Sequence, residues 1–144
     1  MKVDGTCHCG EIAWEAEIDP QAILVCHCTD CQVLGGGAFR WGTLIAKQDF
    51  ALLQGAPKFY RKTAASGALR DLAFCGTCGT SLYGTQAENP THLSLRLSGA
   101  RQARELAPAM QMWSHSALPW VNTIAELPVI AQPNPREENR HAIL

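Results

Sequence analysis

Apolar and polar residues alternate in short runs along most of this chain. In "IAWEAEI", Ile12, Trp14, Ala16 and Ile18 alternate with the small or polar Ala13, Glu15 and Glu17. A period of two marks a half-buried strand, because successive side chains leave a pleated backbone on opposite faces. "AFRWGTLIA" repeats the pattern with Phe39, Trp41, Thr43 and Ile45. "HLSLRLSG" gives its cleanest form, with Leu93, Leu95 and Leu97 on one side and Ser94, Arg96 and Ser98 on the other. "KFYRKT", "RDLAFC" and "TSLYGT" read as further short strands. The breaks "IDP", "LLQGAP", "ASG", "GTCGT" and "AENP" carry residues that favour turns. Ala100–Leu106 predicts a short helix that stops before Pro108. Strands of this length and spacing predict a mostly β fold for residues 1–130. The polar, proline-bearing end, residues 131–144, predicts a flexible tail whose Ile143 and Leu144 offer an apolar contact.

Composition narrows the class. A chain of 144 residues favours one domain with one sizeable core. Hydrophobic residues make up 47% and charged residues 17%, the balance of a globular chain rather than a disordered one. A net charge of −1 lacks the basic field of a nucleic-acid binder. The start "MKVDGTCHCGEI" has no apolar signal-peptide core, and no apolar run approaches the roughly 18 residues of a membrane helix. The expectation is a cytoplasmic protein with neither nucleic acid nor membrane as partner.

Cysteine changes the picture most. Cys7, Cys9, Cys26, Cys28, Cys31, Cys75 and Cys78 fall into tight clusters. A chain without an export signal meets a reducing compartment, where stable disulfides are rare, and an odd count does not suit a disulfide framework. Metal thiolates fit better. "CHCGEI" and "CGTCGTSL" each place a glycine just after the second cysteine, where it can take positive φ and turn N–H groups toward the sulfurs. These two knuckles supply four thiolates, Cys7, Cys9, Cys75 and Cys78, the full set for a tetrahedral structural zinc. The 65 residues between Cys9 and Cys75 make such a site a clamp on a long loop, so metal binding contributes directly to folding.

Cys26, Cys28 and Cys31 remain. If Cys26 to Cys28 is extended, both sulfurs face one way and His27 the other. Cys31 then returns to the same side after a turn through Thr29 and Asp30, and Gly35, Gly36 and Gly37 follow as an adaptable rim. Three sulfurs on one zinc leave a fourth position for water or substrate, the pattern of a catalytic site. Three thiolates with Zn2+ carry a net charge of about −1, which weakens the Lewis acid and disfavours a hydroxide-generating hydrolase. Such a site suits a soft ligand, and a bound thiol would be held as the nucleophilic thiolate. It could attack a small aldehyde, or the adduct could be split in reverse.

"GTCHCGEI", "CHCTDCQVLGGGAF", "AFCGTCGTSLYG" and "ALPW" resemble the glutathione-dependent formaldehyde-activating enzyme family, which includes centromere protein V. The resemblance runs from about Gly5 to Trp120. It implies a β-tent fold of stacked antiparallel sheets stapled by a four-cysteine zinc site. It also implies two zinc ions, one structural on Cys7, Cys9, Cys75 and Cys78 and one catalytic on Cys26, Cys28 and Cys31. The implied activity is that of a carbon–sulfur lyase, joining glutathione and formaldehyde into S-hydroxymethylglutathione. One departure stands out: where many members read Pro-x-x-His-Ile-Trp, this chain reads "PAMQMW", with Gln111 at the histidine position and His115 four residues on.

Plainer readings sit beside the chemical ones. Any of His8, His27, His92, His115 and His141 could complete the triplet and make it a second structural site, although alternation turns His8 and His27 away from the sulfurs. Trp41, Trp113 and Trp120 suit a core or a pocket wall. Arg40, Arg61, Arg70 and Arg96 each could pair with a glutathione carboxylate, or lie solvated at the surface. Asp30 could assist a proton transfer or simply form a turn. The rival to an enzyme is a non-catalytic zinc module with a binding or redox-sensing role, since three close thiols without metal oxidise readily.

Overall fold

A computed structural model describes residues 1–130 of the chain, and its architecture is mostly β. The alternation in "IAWEAEI" becomes β2 (Ala13–Glu17), which pairs antiparallel with β1 (Lys2–Thr6) and with β5 (Phe50–Gln54). These three form a small sheet in the order β1-β2-β5. The larger sheet takes its strands from β3 (Ile23–Cys26), β4 (Arg40–Ala46), β6 (Lys58–Thr63), β7 (Leu69–Phe74), β8 (Ser81–Gln86), β9 (His92–Arg96) and β10 (Met110–Met112). Its order is β10-β3-β4-β9-β8-β7-β6, antiparallel throughout except for the parallel pair β10–β3. Among the described residues no helix is long and apolar enough to cross a membrane.

The predicted faces fold as the periodicity requires. Trp14 and Ala16 of the small sheet pack in one core with Ile23, Ile45, Leu93 and Leu95 of the large one. Gly5 is where β1 meets the segment that follows β9: Thr6 donates to the Gly99 carbonyl at 3.1 Å, and a Cβ on Gly5 would lie 2.3 Å from that same oxygen. No side chain fits so close an approach. Behind this core, the other face of the large sheet carries a row across five strands, Leu44, Ser94, Gly84, Leu72 and Tyr60, each opposite the next in register.

Three expectations change. "LLQGAP" is not a turn throughout, because Leu52, Leu53 and Gln54 complete β5. Leu52 and Leu53 are both exposed, so main-chain pairing to β2, not a buried face, makes this edge strand. Ala100–Leu106 is not a helix; only a 3₁₀ turn, Ala103–Glu105, forms there. Ala100 bridges Gly5, the Gln102 side chain exchanges hydrogen bonds with Asp4 at 2.9 and 3.2 Å, and Leu106 is drawn into the core. The third change concerns "CHCTDCQVLGGG". Thr29–Gly35 is an α-helix, α1, and Gly36 caps it at φ 64°, so these glycines end a helix, and Gly35 lines the cavity described below. The tail 131–144, with His141, Ile143 and Leu144, lies outside the described residues.

Candidate functional site

The two glycine-backed knuckles are closed by the same outer hydrogen bond around turns that differ by one residue in span. Cys7 N–H donates to the Ile12 carbonyl and Cys75 N–H to the Thr80 carbonyl, each at 2.9 Å. Gly10 (φ 80°) and Gly79 (φ 74°) turn back to the carbonyls of Cys7 and Cys75. The Ile12 N–H then points at the Cys7 sulfur from 3.2 Å. This folding brings the sulfurs of Cys7, Cys9, Cys75 and Cys78 within 4.8 Å of one another. Cys7 and Cys9 are 3.5 Å apart, Cys9 and Cys75 3.8 Å. A disulfide needs about 2.05 Å. Four sulfurs around one zinc at about 2.3 Å would be separated by about 3.8 Å, so the donor set fits a tetrahedral ion.

Packed this closely, the thiols split into donors and acceptors. Cys78 falls to about 5, chiefly because the Thr80 hydroxyl, and then the Thr80 N–H, donate to its sulfur. The Glu11 N–H lowers Cys9, but hydrogen bonds to Cys7, burial, and contacts with Cys78 and Cys75 outweigh it and push Cys9 up to about 12. A divalent cation is what would allow all four to ionise together.

The triplet is built differently. β3 delivers the buried Cys26, and Cys28 is the N-cap of α1, its sulfur 3.4 Å from the Cys31 N–H. Cys31 returns to the same side because the first helical turn carries it there; Thr29 and Asp30 belong to that helix rather than to a loop turn. The three sulfurs lie within 4.8 Å of one another, and neither a histidine nor a carboxylate joins them among the described residues. Burial raises Cys31 to about 12, helped by its bond to Cys28 and opposed by Arg40. Burial also raises Cys28, but its bonds to Cys31 and Cys26, and Arg40, overcome this and leave it below its usual value.

His27 is buried away from the sulfurs, with 1% of its surface exposed. Its Nε2 donates to the Gln111 Oε1 at 2.9 Å, and its ring meets Phe39 edge-on at 5.5 Å. Nδ1 has no partner among the described residues. The parallel pairing of β10 with β3 sets Gln111 opposite Val25 and so brings the amide to the imidazole. Gln111 thus braces His27. His8 and His115 are exposed, and His115 rests against Trp113 with centroids 5.4 Å apart.

The triplet lines a cavity of about 900 Å³ that spreads over the outer face of the large sheet. Phe39, Trp41, Leu44, Tyr60, Leu72 and Trp113 give it apolar walls. Trp41 is fixed by its Nε1 bond to the Leu106 carbonyl at 3.1 Å. Trp120 is not among the lining residues. The four arginines now separate. Arg40, Arg70 and Arg96 line the cavity, whereas Arg61 forms a two-pronged pair with Asp71 at 2.7 and 2.8 Å. Asp30 and Lys62 also line it and pair with each other. His92, a candidate fourth ligand in the sequence, lines the cavity without joining the sulfurs, and sequence reasoning missed Tyr60, Lys62 and Leu72 as lining residues. The signal was present, because alternation in "KFYRKT" and "RDLAFC" puts Tyr60 with Lys62 and Arg70 with Leu72.

Residues 2–116 match the sequence model of the family described as glutathione-dependent formaldehyde-activating enzyme. An uncharacterised lyase of Schizosaccharomyces pombe is 28% identical over 89 residues, which span 60% of this chain and 61% of the relative. A crystal structure of a Rhodobacter sphaeroides protein has a similar fold, with a TM-score of 0.58 at 22% identity, covering 78% of this chain and all of that one.

Proposed function

Because the chain belongs to the glutathione-dependent formaldehyde-activating enzyme family, we propose that it is a carbon–sulfur lyase or synthase acting on a glutathione-like thiol and a small aldehyde, or on their adduct. In this reading residues 1–130 work as one zinc-binding domain in the cytoplasm. Cys7, Cys9, Cys75 and Cys78 hold a structural zinc, and Cys26, Cys28 and Cys31 hold a catalytic one. When bound at the triplet, zinc would supply a soft Lewis acid that favours the deprotonated form of a thiol.

The chain's own residues do the rest. Phe39, Trp41 and Trp113 form walls that can cover the apolar part of a ligand and keep water from the reacting carbon. Arg70 lines the same space and offers a guanidinium group for a carboxylate. Asp30 is engaged by Lys62, which makes it a poor proton carrier and a good brace for the start of α1. In the synthetic direction the thiolate sulfur bonds to the carbonyl carbon; the carbonyl oxygen takes the electron pair of its π bond and then a proton. Holding both partners in one cavity provides the proximity term for this bond.

One observation carries the reading: three converging sulfurs line the large cavity, while the four of the other cluster are not among its lining residues. The test is Cys28→Ser, read by metal content, thiol binding and circular dichroism. It should lose one of about two zinc ions and all thiol binding while keeping its fold. Thiol binding equal to that of the parent would overturn the proposal.

A further inference from the structure

Charge around the triplet is left over once its ion pairs are counted. Cys26 lies opposite Arg40 across β3 and β4, and Gly42 lies opposite Arg96 across β4 and β9. Both arginines line the cavity. The side-chain ion pairs among the described residues join Lys2 to Glu15, Arg61 to Asp71, Lys62 to Asp30 and Arg101 to Asp4. Neither Arg40 nor Arg96 is in them. Asp30, the carboxylate of the cavity lining, is already taken by Lys62.

The two arginines are also built in. Arg96 Nη1 donates to the Ser94 carbonyl at 3.1 Å and to its hydroxyl at 3.4 Å. Its Nη2 passes over Gly84, opposite Ser94, where a Cβ would meet it at an ordinary contact distance of 3.6 Å. Arg40 Nε is buried without an acceptor among the described residues. Burial, and next Arg40 itself, lower Arg96 to about 9, while the three nearby thiols pull it the other way. Two like charges held together without an acid cost stability unless an anion joins them. The other cations of this face, Arg70 and Lys62, lie opposite each other on β7 and β6, and His92, at the start of β9, meets the Thr91 hydroxyl at 3.0 Å.

Three thiolates with Zn2+ leave about −1, and a substrate thiolate would make about −2. Two guanidinium groups offset that charge. We propose that Arg40 and Arg96 are positioning residues whose joint charge lets the triplet take a thiol as its thiolate. The inference rests on the functional reading above and adds the groups that hold the incoming sulfur in its reactive form. It separates them from Arg61, whose charge is spent on Asp71.

The test titrates zinc-loaded protein with 2-mercaptoethanol, which has no carboxylate, by calorimetry. Arg40→Gln and Arg96→Gln should each weaken binding on the order of tenfold or more, as expected for the loss of a neighbouring unit charge at an effective dielectric of about 20. Arg96→Lys should recover much of the loss, and Arg61→Gln should match the parent. Zinc content should stay at the parental value in all of them. Unchanged affinity in both glutamine variants overturns the inference. So does loss of zinc in both, which would make the arginines part of the scaffold. A loss seen with mercaptoacetate but not with 2-mercaptoethanol would mean that the pair reads a carboxylate instead, and overturns it too. If the parent itself binds no thiol, the functional reading fails and takes this inference with it.

Discussion

Gln111→Leu tests whether the residue at the departure from the family motif braces His27. The substitution keeps the volume and removes the oxygen that accepts from His27 Nε2 at 2.9 Å. His27 is buried and its Nδ1 already lacks a partner among the described residues, so the variant leaves the ring with no hydrogen bond to them. An unsatisfied buried donor costs about 1–3 kcal/mol. Gln111 is exposed, so water can reach part of the vacated position, and the expected loss is nearer ~1 kcal/mol. With a urea slope of ~2 kcal/mol/M, the midpoint should fall by about half a molar. Urea titration of zinc-loaded protein, followed by tryptophan fluorescence, measures this directly. Combining Gln111→Leu with His27→Phe should recover much of the loss, because replacing both polar partners by apolar groups is far cheaper than orphaning one. A midpoint equal to the parent's, or losses that simply add in the double variant, would refute the bracing role.

Other perturbations separate the two cysteine clusters and the sheet that carries them. Cys75→Ser should unfold the domain or lower its urea midpoint sharply, because it opens the clamp between distant segments; a midpoint like that of Cys28→Ser would contradict the division of labour. Gly42→Ala places a Cβ 2.2 Å from the Leu95 carbonyl in the middle of the large sheet. It should cost at least ~2 kcal/mol by urea titration, and a neutral result would mean that β4 and β9 pair less closely than described. The Arg61 pair, through its hydrogen bond first and its charge second, holds Asp71 below its usual value. Its contribution is present above the ordinary carboxylate range and is lost as pH falls through about 4 and below. Asp71→Asn should therefore lower the urea midpoint at pH 6 more than at pH 3, and an equal shift at both would refute the linkage.

How much of this was legible depends on whether the cause is local. Leu93, Leu95 and Leu97 announce a buried strand face because the period of two is written into neighbouring residues. The glycines after Cys9 and Cys78 announce knuckles because positive φ is a local demand, and both take it. β5 was hidden because Leu52 and Leu53 bury no alternating face. α1 was hidden because its beginning is set by the Cys28 cap and its apolar Val33 and Leu34 are exposed, leaving no helical stripe to read. The partnership of His27 with Gln111 spans 84 positions and depends on the parallel seating of β10, which no local pattern encodes. Arg40, Arg61 and Arg96 look alike as letters. Only the fold shows that one is spent on Asp71 while the other two stand with the triplet.

Zinc-edge X-ray absorption of the loaded protein, with and without a small thiol, addresses the contrast between a closed ion and an open one most directly. Averaged over both sites, the account predicts about 3.5 sulfur neighbours per zinc in the free protein and about 4 once the thiol is bound. A value of about 4 before any thiol is added, or one that the thiol leaves unchanged, would contradict it.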